Sequence, residues 1–193
     1  MEWPLRSLDG KQAIDWIPRR KRMNEPKGKF TIRLNSTLSP DRVYRVYLDS
    51  AAAYFITLGS PGMARAIGRQ FGLIGALLAE RHEKKQAARR AGMAAELDRE
   101  HPGVLLARDK ANFSLPFLQI ESAVVDPAAV FSGHGPHVGR LTVKKRDGKD
   151  LRFQFESLEE MKLAVSSLQP LLGERLRLNV RWDDRKGSYV KAA

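Results

Sequence analysis

The chain has 193 residues, 42% of them hydrophobic and 29% charged, with 34 Lys and Arg against 22 Asp and Glu for a formal charge of +12. It contains no cysteine, which excludes disulfides, thiolate metal sites and cysteine nucleophiles. The length suits one domain with an appended segment, and the excess of cations favours an anionic partner: nucleic acid, an acidic membrane face or an acidic protein.

Residues 1–28 read as a basic leader. Pro4, Pro18 and Pro26 interrupt it, Arg19, Arg20, Lys21 and Arg22 form a cluster suited to phosphates or anionic lipid, and Trp3, Ile14, Trp16 and Ile17 offer apolar docking points. Met1 is followed by Glu2, Trp3 and Pro4 with no apolar run, so no secretory signal is expected. The longest apolar run, from Phe71 to Ala79, falls far short of the ~18–20 residues that a spanning helix needs. These features point to the cytoplasm, with peripheral attachment to the inner face of the membrane if a membrane is the partner.

Residues 29–183 are expected to form one α+β domain, and 184–193 a tail. Phe30, Ile32 and Leu34 alternate with polar residues, the period of a half-buried strand. Val43 to Leu48 and Tyr54 to Leu58 supply two more strands on short connections, hence antiparallel. Tyr44 and Tyr47 are three apart and cannot share a strand face, which assigns one of them to the core and leaves the other beside Arg45 as a candidate stacking surface.

The period then changes to that of a helix from Pro61 to about Arg99, with Ser60 as N-cap. Ala64, Gly68, Gly72 and Ala76 recur every four residues as a stripe of small side chains. Glycine inside a helix costs up to ~1 kcal/mol relative to alanine, so such a stripe implies close approach to another backbone. Packing on the sheet is the favoured reading and self-association as a homo-oligomer the other. The second half of the helix is charged and alanine-rich, with Lys84, Lys85, Arg89 and Arg90 as candidate anion or partner contacts and Gly92 as a candidate break.

Val104-Leu105-Leu106 reads as a short strand, Asn112 to Phe117 as the approach to another, and Leu118 to Val125 as a strand ended by Asp126-Pro127. After a Gly/His-rich loop comes a hairpin. With Arg146-Asp147-Gly148 as a three-residue loop and Gly148 left-handed, Val143 faces Leu151 and Leu141 faces Phe153, putting the apolar residues on one face. Ser157 and Glu160 form a capping box that opens a helix with an apolar stripe at Leu158, Met161, Val165 and Leu168, ending near Pro170. Leu176, Leu178, Val180 and Trp182 alternate as a last strand.

This order of elements resembles the pleckstrin-homology-like barrel, in particular its bacterial members. The residues that carry it are Val43 to Gly59, Asn112 to Ile120, the hairpin Leu141 to Phe155 and the helix from Ser157, about half of the chain. The resemblance implies a mostly antiparallel, partly closed sheet, a closing helix at one open end and a binding role toward lipid headgroups, peptides or proteins. The long central helix would then be an insertion between strands.

Catalytic residues are not expected. His134 and His137 supply two imidazoles where zinc needs three or four ligands, so neither metal nor cofactor is expected. Ser60, Ser114 and Ser132 lack a nucleophile-elbow context. Asp183-Asp184 and Glu159-Glu160 are sequence neighbours whose side chains diverge, so neither is an acid–base couple. The resulting expectation is a non-enzymatic interaction module for an acidic protein or anionic membrane surface, with nucleic-acid binding as the alternative.

Overall fold

A computed structural model describes residues 27–35, 41–59, 72–128 and 138–192, with side chains from residue 85 onward in the third stretch. The leader with its Arg19–Arg22 cluster, Ser60, Ala64, Gly68 and the His134–His137 loop lie outside the described residues.

The protein is α+β. Its strands are β1 (Gly28–Leu34), β2 (Arg42–Leu48), β3 (Ala52–Gly59), β4 (Phe113–Pro116), β5 (Ile120–Pro127), β6 (Gly139–Lys145), β7 (Asp150–Phe155), β8 (Leu176–Leu178), β9 (Val180–Asp183) and β10 (Ser188–Lys191). The helices are α1 (Gly72–Leu97), α2 (Pro102–Leu106) and α3 (Leu158–Leu172). Eight strands hydrogen-bond in the order β4-β3-β2-β1-β7-β6-β5-β8, and β9 and β10 form a separate ribbon. The pairings are antiparallel except for β5 with β8.

One face of this sheet makes the main core. Phe30 and Ile32 of β1, Tyr44 and Val46 of β2, Phe55 of β3, Ala123 and Val125 of β5, Leu141 and Val143 of β6 and Phe153 and Phe155 of β7 meet there with Met161, Ala164, Val165 and Leu168 of α3. The first strands and the late hairpin therefore share one interior, sealed by the helix that Ser157 caps. The hairpin register is the expected one: Val143 faces Leu151, Leu141 faces Phe153, and Gly148 sits at φ +79°. The α3 helix runs two residues past Pro170, to Leu172.

The other face of β2 and β3 is covered as well. Val43 and Leu58 pack on Ala94, Met93 and Leu97 of α1, and Tyr47 and Ile56 pack on Leu105 of α2. Both tyrosines are accordingly buried, Tyr44 in the main core and Tyr47 on the opposite side, and neither is a stacking surface. A strand covered on both sides loses its polar–apolar alternation, which is why β2 reads as one near-continuous apolar run.

Four local expectations change. Val104-Leu105-Leu106 is helical rather than a strand: His101 caps it by accepting from the Gly103 N–H (3.2 Å), and Pro102 opens the first turn. Leu118 belongs to a one-turn 3-10 helix, Phe117–Gln119, that joins β4 to β5, so β5 starts only at Ile120. Ser188–Lys191, read from the sequence as tail, is strand β10. Gly92 does not break α1, which continues to Leu97, two residues short of Arg99.

Candidate functional site

Side chains point alternately to the two faces of a strand, so Lys29, Thr31 and Arg33 leave β1 on the face opposite Phe30 and Ile32. Register places Arg45 of β2 beside Thr31 on that same face. The last turns of α1 pass over this polar strip, and the start of α3 borders it. Between them lies a cleft of about 550 Å³ lined by Thr31, Arg45 and Leu58 from the sheet, alanines 87, 91, 94 and 95 with Arg90 and Asp98 from the α1 side, and Glu156, Ser157 and Glu160.

The cleft is organised by charge. Asp98, just past the end of α1, accepts from Arg45 Nε (3.1 Å) and Nη2 (3.0 Å) and from the Tyr47 hydroxyl (3.0 Å), and Lys29 Nζ lies 2.7 Å away. Burial pushes the Asp98 carboxyl up, but the hydrogen bonds from Arg45, Lys29 and Tyr47 outweigh it and hold the group down at about 2. The Tyr47 hydroxyl is pushed far up by burial and by its bond to the Asp98 carboxylate, so it stays a donor.

Glu160 is a second junction. Ser157 caps α3 as expected, accepting from the Glu160 N–H at 3.2 Å. The Glu160 carboxylate does not turn back to complete the box. It accepts from the Thr31 N–H of β1 (2.6 Å) and lies 3.7 Å from Arg45. Glu159 beside it is exposed, so the adjacent pair does diverge into different surroundings.

Glu156 is the third junction, 3.3 Å from Arg90 of α1 and 3.5 Å from Arg33 of β1. Arg33, on β1 between β2 and β7, is only 2% exposed, and it also donates to the side chain of Gln154, its partner on β7. Within this network every carboxylate faces at least one cation. The arrangement holds the end of α1 to the sheet, and it offers no unengaged base beside a nucleophile. Among the described residues no group of three or more His, Asp or Glu is placed to hold a metal ion.

Of the residues that sequence reasoning selected, Lys85 and Arg89 are exposed on α1 with no ion-pair partner among the described residues. Arg90, one residue on, is only 16% exposed and turns inward to Glu156. Lys84, Gly72 and Ala76 lie within α1, with side chains outside the described set. The network residues Arg33, Arg45, Asp98, Glu156 and Glu160 were missed. Their pairs bridge segments far apart in the chain, for example 53 positions from Arg45 to Asp98 and 129 from Thr31 to Glu160, so no local spacing marks them.

Among the described residues no helix is long and apolar enough to cross a membrane. No protein-family model matches the chain, and no curated protein or solved structure matches it.

Proposed function

We propose that this chain is a non-enzymatic interaction module that binds an acidic protein or anionic membrane surface through its exposed cations, acting in the cytoplasm or at the inner membrane face. The observation that carries this reading is the unequal fate of the charges along α1. Arg90 and Asp98 are committed to the internal network, whereas Lys85 and Arg89 project outward without an ion-pair partner among the described residues. Engaged carboxylates in the cleft favour binding over acid–base chemistry.

The pleckstrin-homology-like resemblance remains part of this proposal, and sheet geometry supports it. In a flat sheet β4 and β5, six positions apart in strand order, would be separated by about 29 Å. The Phe117–Gln119 turn joins Pro116 to Ile120 by four Cα steps, which span at most about 15 Å. A curled sheet reconciles the two distances. Phe55 and Phe153, three strand positions apart, stack with ring centroids 5.2 Å from each other, in keeping with the same curl. With α3 across its interior, such a sheet is a partly closed barrel with a capping helix, and α1 is the insertion between β3 and β4.

Flotation with phosphatidylserine-rich vesicles and retention on immobilised polyglutamate test the proposal. At low salt the protein should bind at least one of them and release it as ionic strength rises, because exposed charges are screened over about 10 Å at 0.1 M salt. Lys85→Glu with Arg89→Glu should weaken that binding about tenfold or more, each cation near an anionic surface contributing about 1 kcal/mol. Failure to bind either material at low salt refutes the reading. Nucleic-acid binding is the second reading, favoured by a separate set of unpaired cations on the C-terminal ribbon.

A further inference from the structure

We infer that the β8–β10 segment is a duplex-binding arm whose cations Arg177, Arg181, Arg185, Lys186 and Lys191 take the phosphate backbone of a nucleic acid. This rests on the second reading above and deepens it, naming the specific class of polyanion and its surface, which is distinct from the α1 cations of the first reading.

The ribbon is antiparallel, with Val180 opposite Lys191, Arg181 opposite Val190 and Trp182 opposite Tyr189. Val180 is buried in the main core and Tyr189 packs against it, so alternation sends Arg181 to the outward face. Arg177, on β8 just before the bend at Asn179 that leads into the ribbon, is likewise exposed. Arg185 and Lys186 are exposed in the turn at the ribbon tip, and Lys191, opposite Val180 and so on the other face from Arg181, is exposed at the far end of the ribbon.

The two carboxylates of the ribbon are consumed locally. Asp183 accepts from the backbone N–H groups of Arg185 (3.0 Å) and Lys186 (3.2 Å), and Asp184 accepts from the Trp182 indole N–H (2.9 Å). None of the five cationic side chains has an ion-pair partner among the described residues. Unpaired cations spaced along a ribbon match a polymer that carries one negative charge per ~1.7 Å of axis.

A duplex is favoured over a bilayer by the absence of anything on the ribbon to enter acyl chains. The exposed large hydrophobic residues among those described are Val104, Leu118 and Leu163, all outside it. The Trp182 ring is already engaged, edge-on to Tyr189 at 5.3 Å and beneath the Lys162 ammonium at 3.4 Å. A two-stranded ribbon is also narrow enough for the ~12 Å major groove of B-form DNA.

Fluorescence anisotropy of the full chain with labelled DNA and RNA duplexes of about 20 base pairs, over about 50 to 200 mM salt, decides the matter. Binding of either duplex should weaken steeply with salt, and the duplex preferred identifies the nucleic acid. Arg181→Gln with Arg185→Gln and Lys186→Gln should reduce the log–log salt slope by roughly two to three and weaken low-salt binding at least tenfold, each phosphate contact contributing about 0.9 to the slope. Arg181→Lys with Arg185→Lys should keep the wild-type slope, which separates lost charge from lost fold, and Lys85→Gln with Arg89→Gln should leave it unchanged. A wild-type slope in the triple glutamine variant overturns the inference, as does failure of the wild type to bind either duplex at low salt. If that failure accompanies intact binding to acidic vesicles or polyglutamate, the proposed function survives and only this inference falls.

Discussion

Asp98 shows how much one side chain gathers in this protein. A carboxylate 18% exposed takes two guanidinium nitrogens, an ammonium and a phenol from two adjacent strands, and it sits just beyond the helix that it secures. Removing it leaves Arg45, which is 12% exposed, with only Glu160 at 3.7 Å and the Thr31 hydroxyl at 3.2 Å, and leaves the hydroxyl of Tyr47, which is 2% exposed, without its acceptor. Asp98→Ala is therefore expected to cost about 2–3 kcal/mol in urea unfolding, the scale of charged hydrogen bonds that lose a buried partner. The same group predicts an acid dependence. Its folded pKa of about 2 lies below the unfolded value near 4, so its contribution is complete above about pH 4 and lost as pH falls toward 2. Asp98→Asn should flatten stability against pH in that window, and an unchanged acid limb would show that other carboxylates dominate there.

Between elements, α3 packs closely on β1. Gly28 opens β1 opposite Leu48, and a Cβ there would overlap the Ser167 Cβ and Oγ of α3. The Ser167 Cβ is fixed to the helix backbone and cannot rotate away, so the strand or the helix would have to shift. Gly28→Ala is expected to cost about 1–3 kcal/mol, as overpacking does, visible as a lower urea midpoint with an unchanged slope. Gly148→Ala strains the chain differently, since the space around it is open and only its positive φ resists a side chain. The same element boundary explains Glu160. A glutamate three residues after Ser157 fits a capping box, but the N–H of Thr31 on the neighbouring strand and the Arg45 guanidinium compete for its carboxylate and win.

Over the molecule as a whole, residues 176–192 fold back onto the core. After β8 pairs in parallel with β5, Asn179 donates its N–H to the Val125 carbonyl and β9 turns back into β10, bringing Tyr189 against the core. The Ala192 N–H then closes on the Asn179 carbonyl at 2.9 Å. Ending the chain after Asp184 should therefore lower stability by about 1–3 kcal/mol through the lost burial of Tyr189. A truncated chain with the same urea midpoint would mean that the ribbon adds nothing to the fold. The β4–β5 corner has a comparable long-range closure, with Arg175 donating to the carbonyls of Phe117 (2.6 Å) and Ile120 (3.2 Å) and the Phe117 N–H reaching Ala51 (2.8 Å).

What depends on neighbours along the chain is legible in the residues alone: the alternation of β1, the left-handed Gly148 with its hairpin register, the Ser157 cap and the apolar stripe of α3. Those features follow from backbone conformation and from burying one face, both readable within a few residues. Sequence reasoning misses the helix at Pro102–Leu106 and the strand at Ser188–Lys191, because short apolar runs take whichever conformation their neighbours hydrogen-bond. The candidate site was scarcely legible. Of its cations and acids Arg90 reads as a surface charge, whereas it is bound inward to Glu156, and Glu160 and Arg45 stand out only as a capping residue and as the neighbour of a tyrosine. Tertiary structure decided which charges are spent and which are left over, since desolvation makes a buried Arg33 or Asp98 find partners wherever the fold brings them. Lys85 and Arg181 remain in solvent under no such requirement.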